Sequence, residues 1–197
     1  MSLKEYQQVY VDSSKLHADN IMKYGPMAPF GVPTPQPEQL KRIEFIVSHA
    51  EGEILDIGCD SGYILSKCGG GTGIDISILR LKAAKHCYFF LPLVHALAES
   101  LPFTQAFDTV IAAEVLEHVL DPEKVLAEIY RVLKPGGNII VTVPDEIQGN
   151  SHRNPEHLRK FLVIDLIKIL MLQHFDVKMP KYIAGDYPVW CFCCRRN

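Results

Sequence analysis

Residues 54–62 read ILDIGCDSG, and the parsing of this stretch decides the fold. Ile54, Leu55 and Ile57 are strand-forming and apolar, with Asp56 set among them. Gly58 and Gly62 then bracket a turn that runs into the short apolar segment YILSKC (63–68). A buried strand, a glycine turn and a helix in that order open an α/β sheet whose ligand lies beyond the carboxyl ends of the strands. Asp60 occupies the middle of the turn, so the ligand has to tolerate a carboxylate there.

Outward from this turn, strand and helix patterns alternate. Upstream, Leu40, Ile43, Ile46 and Val47 recur at helical spacing and stop before Gly52. Downstream, GTGID (71–75) reads as a strand and SILRLKAAKHC (77–87) as a helix capped by Ser77. LPLVH (91–95) is a weak strand and FDTVIAA (107–113) a strong one. Asp121 and Pro122 open the next helix as N-cap and first helical residue, and KPGG (134–137) closes it. NIIVTV (138–143) has the continuous apolar character of a central parallel strand. Asn154 and Pro155 repeat the cap-plus-proline device ahead of a helix to Gln173, in which FLVIDLIKILML (161–172) reads as buried. FDVKMPKY (175–182) and VWCFCCRR (189–196) are the closing strands. This alternation predicts an α/β, doubly wound, mostly parallel sheet with helices on both faces. Residues 1–37 form a loosely patterned leader or cover, because YGPMAPFGVPTPQP (24–37) holds five prolines and two glycines, and the domain proper runs over 38–197.

Bulk properties narrow the function classes. The chain has 197 residues, 48% of them hydrophobic and 22% charged, which suits one soluble globular domain. A net charge of -3 supplies no basic field for nucleic acid, and no such partner is expected. No apolar run reaches the roughly 18 residues of a membrane span. MSLKEYQQ (1–8) lacks a signal-peptide pattern, so the six cysteines read as reduced thiols in a cytoplasm. Cys191, Cys193 and Cys194 read as small apolar residues of the last strand rather than metal ligands, since the chain has no C-x-x-C pair. His152 and His157, spaced His-x4-His, do not by themselves make a metal pair, and no metal site is expected. Oligomeric state is not legible.

Two ligand classes compete for the turn. A dinucleotide fingerprint needs glycine at 58, 60 and 63 and finds Gly58, Asp60 and Tyr63. A pyrophosphate would also meet the Asp60 carboxylate. The pattern [DE]-x-G-x-G-x-G needs an acid at 56 and glycine at 58, 60 and 62, and Asp56, Gly58 and Gly62 supply three of the four. On these residues the segment resembles motif I of the class I S-adenosylmethionine-dependent methyltransferases, and about 38–180 resembles their small-molecule branch, of the methyltransferase type 11 kind. The cofactor so implied, S-adenosyl-L-methionine, carries a sulfonium and an ammonium and no phosphate, so an acid in the turn is tolerable. Asp60 is either a turn residue, adopting a positive φ as Asp sometimes does, or a lining group facing that cationic end.

The resemblance implies the remaining roles. Asp56, Gly58, Cys59, Asp60 and Gly62 form the cofactor turn. Asp75, ending GIDIS (73–77), would take the vicinal ribose hydroxyls, and Ile76 would lie on the purine. ALAESLPF (96–103) resembles the adenine-binding motif, although its usual acid falls at Leu97; Ala98 and Glu99 remain as backbone groups, with the Glu99 side chain either reaching the adenine amino group or solvated. FDTVIAAEVLEHVLDPEKVLAEIYRVLKPGG (107–137) is the most specific match, placing Ala113 and Glu114 against the cofactor and His118 near its methyl. NPEHLRKF (154–161) resembles the segment beside the acceptor, where His157 is either a neutral general base at a helix N-terminus or a surface cap. The implied sheet order is 3-2-1-4-5-7-6 with strand seven antiparallel. The implied reaction is in-line methyl transfer to a small-molecule acceptor whose atom (oxygen, nitrogen or carbon) the sequence leaves open; a cofactor-binding protein without catalysis is the alternative.

Overall fold

The computed structural model describes residues 3–26, 36–145, 147 and 156–197. Its frame is one sheet in the order β3-β2-β1-β4-β5-β8-β6, with β7 also paired to β8. The parallel strands are β1 (Ile54–Ile57), β2 (Thr72–Asp75), β3 (Leu93–His95), β4 (Phe107–Ala113) and β5 (Leu133–Pro144). The last strand, β8 (Val189–Arg196), runs antiparallel beside β5, and β6 (Phe175–Val177) and β7 (Lys181–Ile183) pair antiparallel to β8. With β8 in the place of strand seven, this is the expected order. FDVKMPKY is two strands rather than one; Pro180, which has no N–H to donate, stands between β6 and β7.

Alternation along the central strands sends side chains to two apolar layers. Leu55 and Ile57 of β1, Val110 and Ala112 of β4, and Ile139, Val141 and Val143 of β5 face one layer. That layer is closed by α5 (Pro122–Val132), through Val125, Leu126 and Ile129, and by α6 (Val163–Leu172), through Leu166 and Leu170. Ile54, Ile111 and Ile140 point the other way, toward Phe45 and Ile46 of α2 (Pro37–His49), Leu65 of α3 (Tyr63–Lys67) and Leu81 of α4 (Ile78–Cys87). Cys191 and Cys194 are buried in β8 as small apolar residues. In α2 the buried face is Glu38, Ile43, Phe45 and Ile46, while Leu40 is exposed, because the Glu38 carboxylate turns inward to accept the Tyr187 amide at 3.2 Å.

Three expectations are corrected. Residues 3–24, read as part of an irregular leader, form the helix α1 (Leu3–Tyr24), which lies against α4 with Ile21 buried; the Pro-rich positions 27–35 lie outside the described residues. The helix expected from Asn154 begins only at Val163, and Asn154, Pro155 and His152 lie outside the described residues. The physical reason is where the backbone bonds of 156–159 go. The Leu158 amide donates to the Glu117 carbonyl at 2.8 Å and the Glu156 carbonyl accepts from His118 Nδ1 at 3.1 Å, while the Arg159 side chain adds a bond to the Leu120 carbonyl at 2.8 Å. This segment is stitched to the loop after β4, and cannot also satisfy helical bonds. Finally, α6 is half buried: Ile164, Met171 and Leu172 face outward.

The N-terminus of α5 is held as the sequence predicts. Asp121 accepts the Lys124 amide at 3.0 Å, and Pro122, with no N–H to leave unsatisfied, follows it. Asp121→Ala should therefore lose about 1 kcal/mol of stability in urea unfolding, and Asp121→Asn only a few tenths.

Candidate functional site

Three left-handed residues build the turn after β1. Gly58 has φ 68°, Asp60 φ 42° and Gly62 φ 73°. The alternating glycines of the motif are thus a backbone requirement, and Asp60 meets it as an L-residue at a cost of about 1 kcal/mol. The turn is tied back by Cys59 N–H to the Ile74 carbonyl (2.9 Å), Gly62 N–H to the Cys59 carbonyl (2.8 Å) and Asp60 N–H to Asp75 Oδ2 (3.1 Å). At Gly58 a Cβ would come within 2.8 Å of Val115 Cγ2, so only glycine lets the chain pass this close to the loop after β4.

Beyond the turn lies a cavity at the carboxyl ends of β1, β2 and β4. Ile57, Gly58, Ile74, Asp75, Ile76 and Arg80 line it from the β1 and β2 side. Ala96, Leu97, Ala98 and Glu99 form a second wall, and Glu114, Val115, His118 and Val119 a third. Asp75, almost fully buried, accepts Ser77 N–H at 2.7 Å on Oδ1 and Asp60 N–H on Oδ2. Two amides leave a carboxylate with unused acceptor capacity, here at the cavity wall. Ile76 is steadied by His95, whose Nε2 donates to its carbonyl at 2.7 Å. Glu114, at φ 56°, is a second strained residue; its Oε1 accepts Thr142 Oγ1 at 2.9 Å and its Oε2 lies 3.4 Å from Arg42.

Electrostatically the turn is acid-rich. Burial, then the neighbouring Asp75 and Asp60, hold the Asp56 carboxyl well above its ordinary range. Asp75 is raised by burial, against the pull of Arg80. Asp60 is pushed up to about 6 by burial, with Arg80 opposing and Asp75 adding to the rise. Asp56 Oδ2 is buried without a hydrogen-bond partner. Arg80 is the local counter-charge: its Nε is 3.7 Å from Asp60 Oδ1, and its Nη2 reaches Ser13 Oγ of α1 at 3.1 Å and Glu156 Oε2 at 3.8 Å. His17 of α1, pressed down to about 4 by burial and then by Arg80, lies 3.9 Å from Asp60 Oδ1.

Of the residues expected here, Gly58, Asp75, Ile76, Ala98, Glu99, Glu114 and His118 line the cavity. Asp56, Cys59, Gly62 and Ala113 support it from behind: Cys59 packs where a Cβ on Gly73 would sit, 2.7 Å from its Sγ, and Gly62 is the N-cap of α3. The Asp60 carboxylate, read as a lining group, turns to Arg80 and His17 instead. His157 is not at a helix N-terminus; its ring packs edge-on against His118, centroids 4.7 Å apart. Burial, and next the facing His157, press His118 down to about 3, so its ring is neutral. Sequence reasoning missed Arg80, Ser13, His17 and Glu117, because no local pattern marks a residue whose partner is on another element.

Residues 55–141 match the family model described as a methyltransferase domain. This stretch, less than half of the chain, is thus similar to a methyltransferase domain. Ubiquinone biosynthesis O-methyltransferase of Rattus norvegicus is 36% identical over 109 residues, 49% of this chain and 32% of that protein. The Pseudomonas putida protein of the same name is 34% identical over 116 residues, 52% of this chain and 49% of that one. The chain thus spans about a third to a half of the length of these curated relatives. In fold it is similar to the N-methyltransferase NodS of Bradyrhizobium japonicum, crystallised with S-adenosyl-L-homocysteine, with TM-score 0.72 and 17% identity over 92% of this chain and 98% of that one. The residues present fit S-adenosylmethionine, the cofactor that the resemblance implies: Gly58 keeps a cradle open that a Cβ would fill, and Asp75 at the cavity lining keeps acceptor capacity beyond its two amides.

Asp60 generates a pH signature. Its folded-state pKa of about 6 lies above the ordinary 3.8, so between those values the folded chain holds more protons than the unfolded one. The stability this contributes is present below about 3.8 and is lost as pH rises through about 6. Thermal melts should show Asp60→Asn gaining on the wild type as pH rises from 4 to 6, with a constant difference above that. A difference independent of pH would remove the shift.

Proposed function

We propose that this chain is a methyltransferase that acts on a small-molecule acceptor. The observation that carries this reading is Asp75, a buried carboxylate at the cavity wall, preset by two backbone amides and facing the position expected of a nucleoside's ribose. Bound S-adenosylmethionine supplies a methyl group already activated by its sulfonium. The protein's own part is then positioning and exclusion of water. Asp75 accepts from the ribose hydroxyls, Ile76 and Leu97 offer apolar surface to the purine, and the backbone at Ala98 and Glu99 addresses its edge. Gly58 permits close approach at the turn. We assign His118 and His157 to the acceptor end, where His118 keeps a neutral ring beside the cavity.

Helix α1 is the cover of the site in this reading, fastened to the turn through Ser13, His17 and Arg80. The net charge of -3 and the narrow cavity favour a small acceptor over nucleic acid. The relatives are named for O-methyl transfer and the structural neighbour for N-methyl transfer, so the fold leaves the acceptor atom open. Six free cysteines, and no helix among the described residues long and apolar enough to cross a membrane, support a cytoplasmic setting.

Calorimetric titration tests the cofactor half of this reading: S-adenosyl-L-homocysteine should bind and NAD should not. Asp75→Ala should weaken that binding about 30- to 150-fold, which corresponds to about 2–3 kcal/mol for a charge-assisted pair of bonds. Unchanged affinity in a folded variant would overturn the assignment. Release of S-adenosyl-L-homocysteine across a library of small hydroxyl- and amine-bearing compounds tests the acceptor half.

A further inference from the structure

We infer that Glu128 and Arg131 of α5 are positioning residues for the purine wall of the cavity, holding the turn at 97–100 where its backbone can read the base. The inference rests on the methyltransferase reading above, which says what that wall meets.

The wall is a short piece of chain between two anchors. At its upstream end the Ala96 amide donates to the Asp75 carbonyl at 3.2 Å, which joins it to the end of β2. A tight turn follows. The Ser100 amide donates to the Leu97 carbonyl at 3.2 Å, the two residues pair as an antiparallel bridge, and Ala98 and Glu99 occupy the tip. Ala96, Leu97, Ala98 and Glu99 all line the cavity. Residues 101–103, next along the chain, belong to no strand or helix, so their backbone groups need partners from elsewhere.

Helix α5 supplies them. Glu128 Oε2 accepts the Leu101 amide at 2.8 Å. Arg131 donates from Nη2 to the Leu101 carbonyl at 3.0 Å and from Nη1 to the Phe103 carbonyl at 2.6 Å. The two side chains are joined as a fork, Nε to Oε1 at 2.7 Å and Nη2 to Oε2 at 2.8 Å. That bond from Arg131 is the first cause holding the Glu128 carboxyl below its ordinary range.

Two features set this apart from an ordinary pair on a helix surface. The Arg131 side chain is 44% exposed and that of Glu128 21%, and an exposed pair of this kind contributes little stability by itself. The helix does not need it, because Val125, Leu126 and Ile129 fasten α5 to the core. The second feature is geometry. A planar guanidinium–carboxylate fork has few ways to rearrange, so it carries the position of a core-packed helix to a turn whose tip is two residues from Leu101. Without the fork the wall keeps its anchor at Asp75 and loses the one at α5. Apolar contact with the base then persists, while the alignment of its polar edge is lost.

Calorimetric titration of the full chain with S-adenosyl-L-homocysteine and with S-inosyl-L-homocysteine, which has a carbonyl in place of the 6-amino group, tests this. The wild type should favour the adenine ligand about tenfold or more, since exchanging a donor for an acceptor leaves the facing backbone group unpaired. Arg131→Ala should bring that ratio to within about threefold, as the aligned bond is lost. Arg131→Lys, whose single ammonium cannot span both carbonyls and the carboxylate, should fall between, and it carries the test if the alanine variant does not fold. Asp121→Ala, which weakens the opposite end of α5, is the control: its urea midpoint should drop while the ratio stays at the wild-type value. A ratio unchanged in the Arg131 variants, or lowered equally in Asp121→Ala, would overturn the inference, and so would a wild type that binds both ligands alike. In each of those cases S-adenosyl-L-homocysteine still binds and the methyltransferase reading stands; a wild type that binds neither ligand overturns both.

Discussion

The rest of the site depends on one constraint: the chain must turn from β1 into α3 within five residues while its backbone stays open to a ligand. Left-handed conformations at Gly58, Asp60 and Gly62 achieve this, and the Asp75 carboxylate locks the middle of the turn by accepting the Asp60 amide. The same carboxylate holds Ser77 N–H at the start of α4. One side chain at the end of β2 therefore sets the geometry of two successive strand–helix connections. Its remaining acceptor capacity faces the cavity, so the residue that shapes the turn is also the one best placed to meet the ligand.

Charge around that turn is unbalanced by design of the fold rather than by composition. Asp56, Asp60 and Asp75 converge although the chain as a whole carries only a net charge of -3. Burial raises all three, and neighbouring acids add to the rise at Asp56 and Asp60. Arg80 relieves Asp60 and Asp75, and through Ser13 it ties the N-terminal helix to the same cluster. The position that departs from the usual glycine thus gains a purpose within this chain: Asp60 faces Arg80 of α4 and His17 of the N-terminal helix. Its conformational cost and its ion pair belong to one arrangement.

The opposite end of the cavity has a different chemistry. There the loop after β4 presents Glu117 and His118, and the segment 156–159 gives up helical hydrogen bonds to stitch itself beside them. The neutral His118 imidazole, with His157 and a buried carboxylate beside it, stands across from an acid-rich turn, so the two ends differ in chemistry. The proposed methyl transfer would use that division, because its two reactants must be held in line and dry.

The sequence by itself determined the strands and helices of the sheet, the glycine turn and the acid at the end of β2, while the strand order came only from the family resemblance. These are local patterns: apolar strand runs, glycine at positions of positive φ, and caps such as Ser77 and Asp121 whose partners lie three residues away. The tertiary structure alone decided the rest. Residues 3–24 form a helix whose weak pattern becomes meaningful only against α4, and the helix read from Asn154 is postponed where the Leu158 amide bonds across to the loop after β4. Whether Asp60 looked into the site or away from it depended on Arg80 and His17, twenty and forty-three positions distant. Glu117 and His118 meet His157 for the same reason: backbone periodicity is written in neighbouring residues, but a side chain's partner is chosen by the packing of elements far apart in the chain.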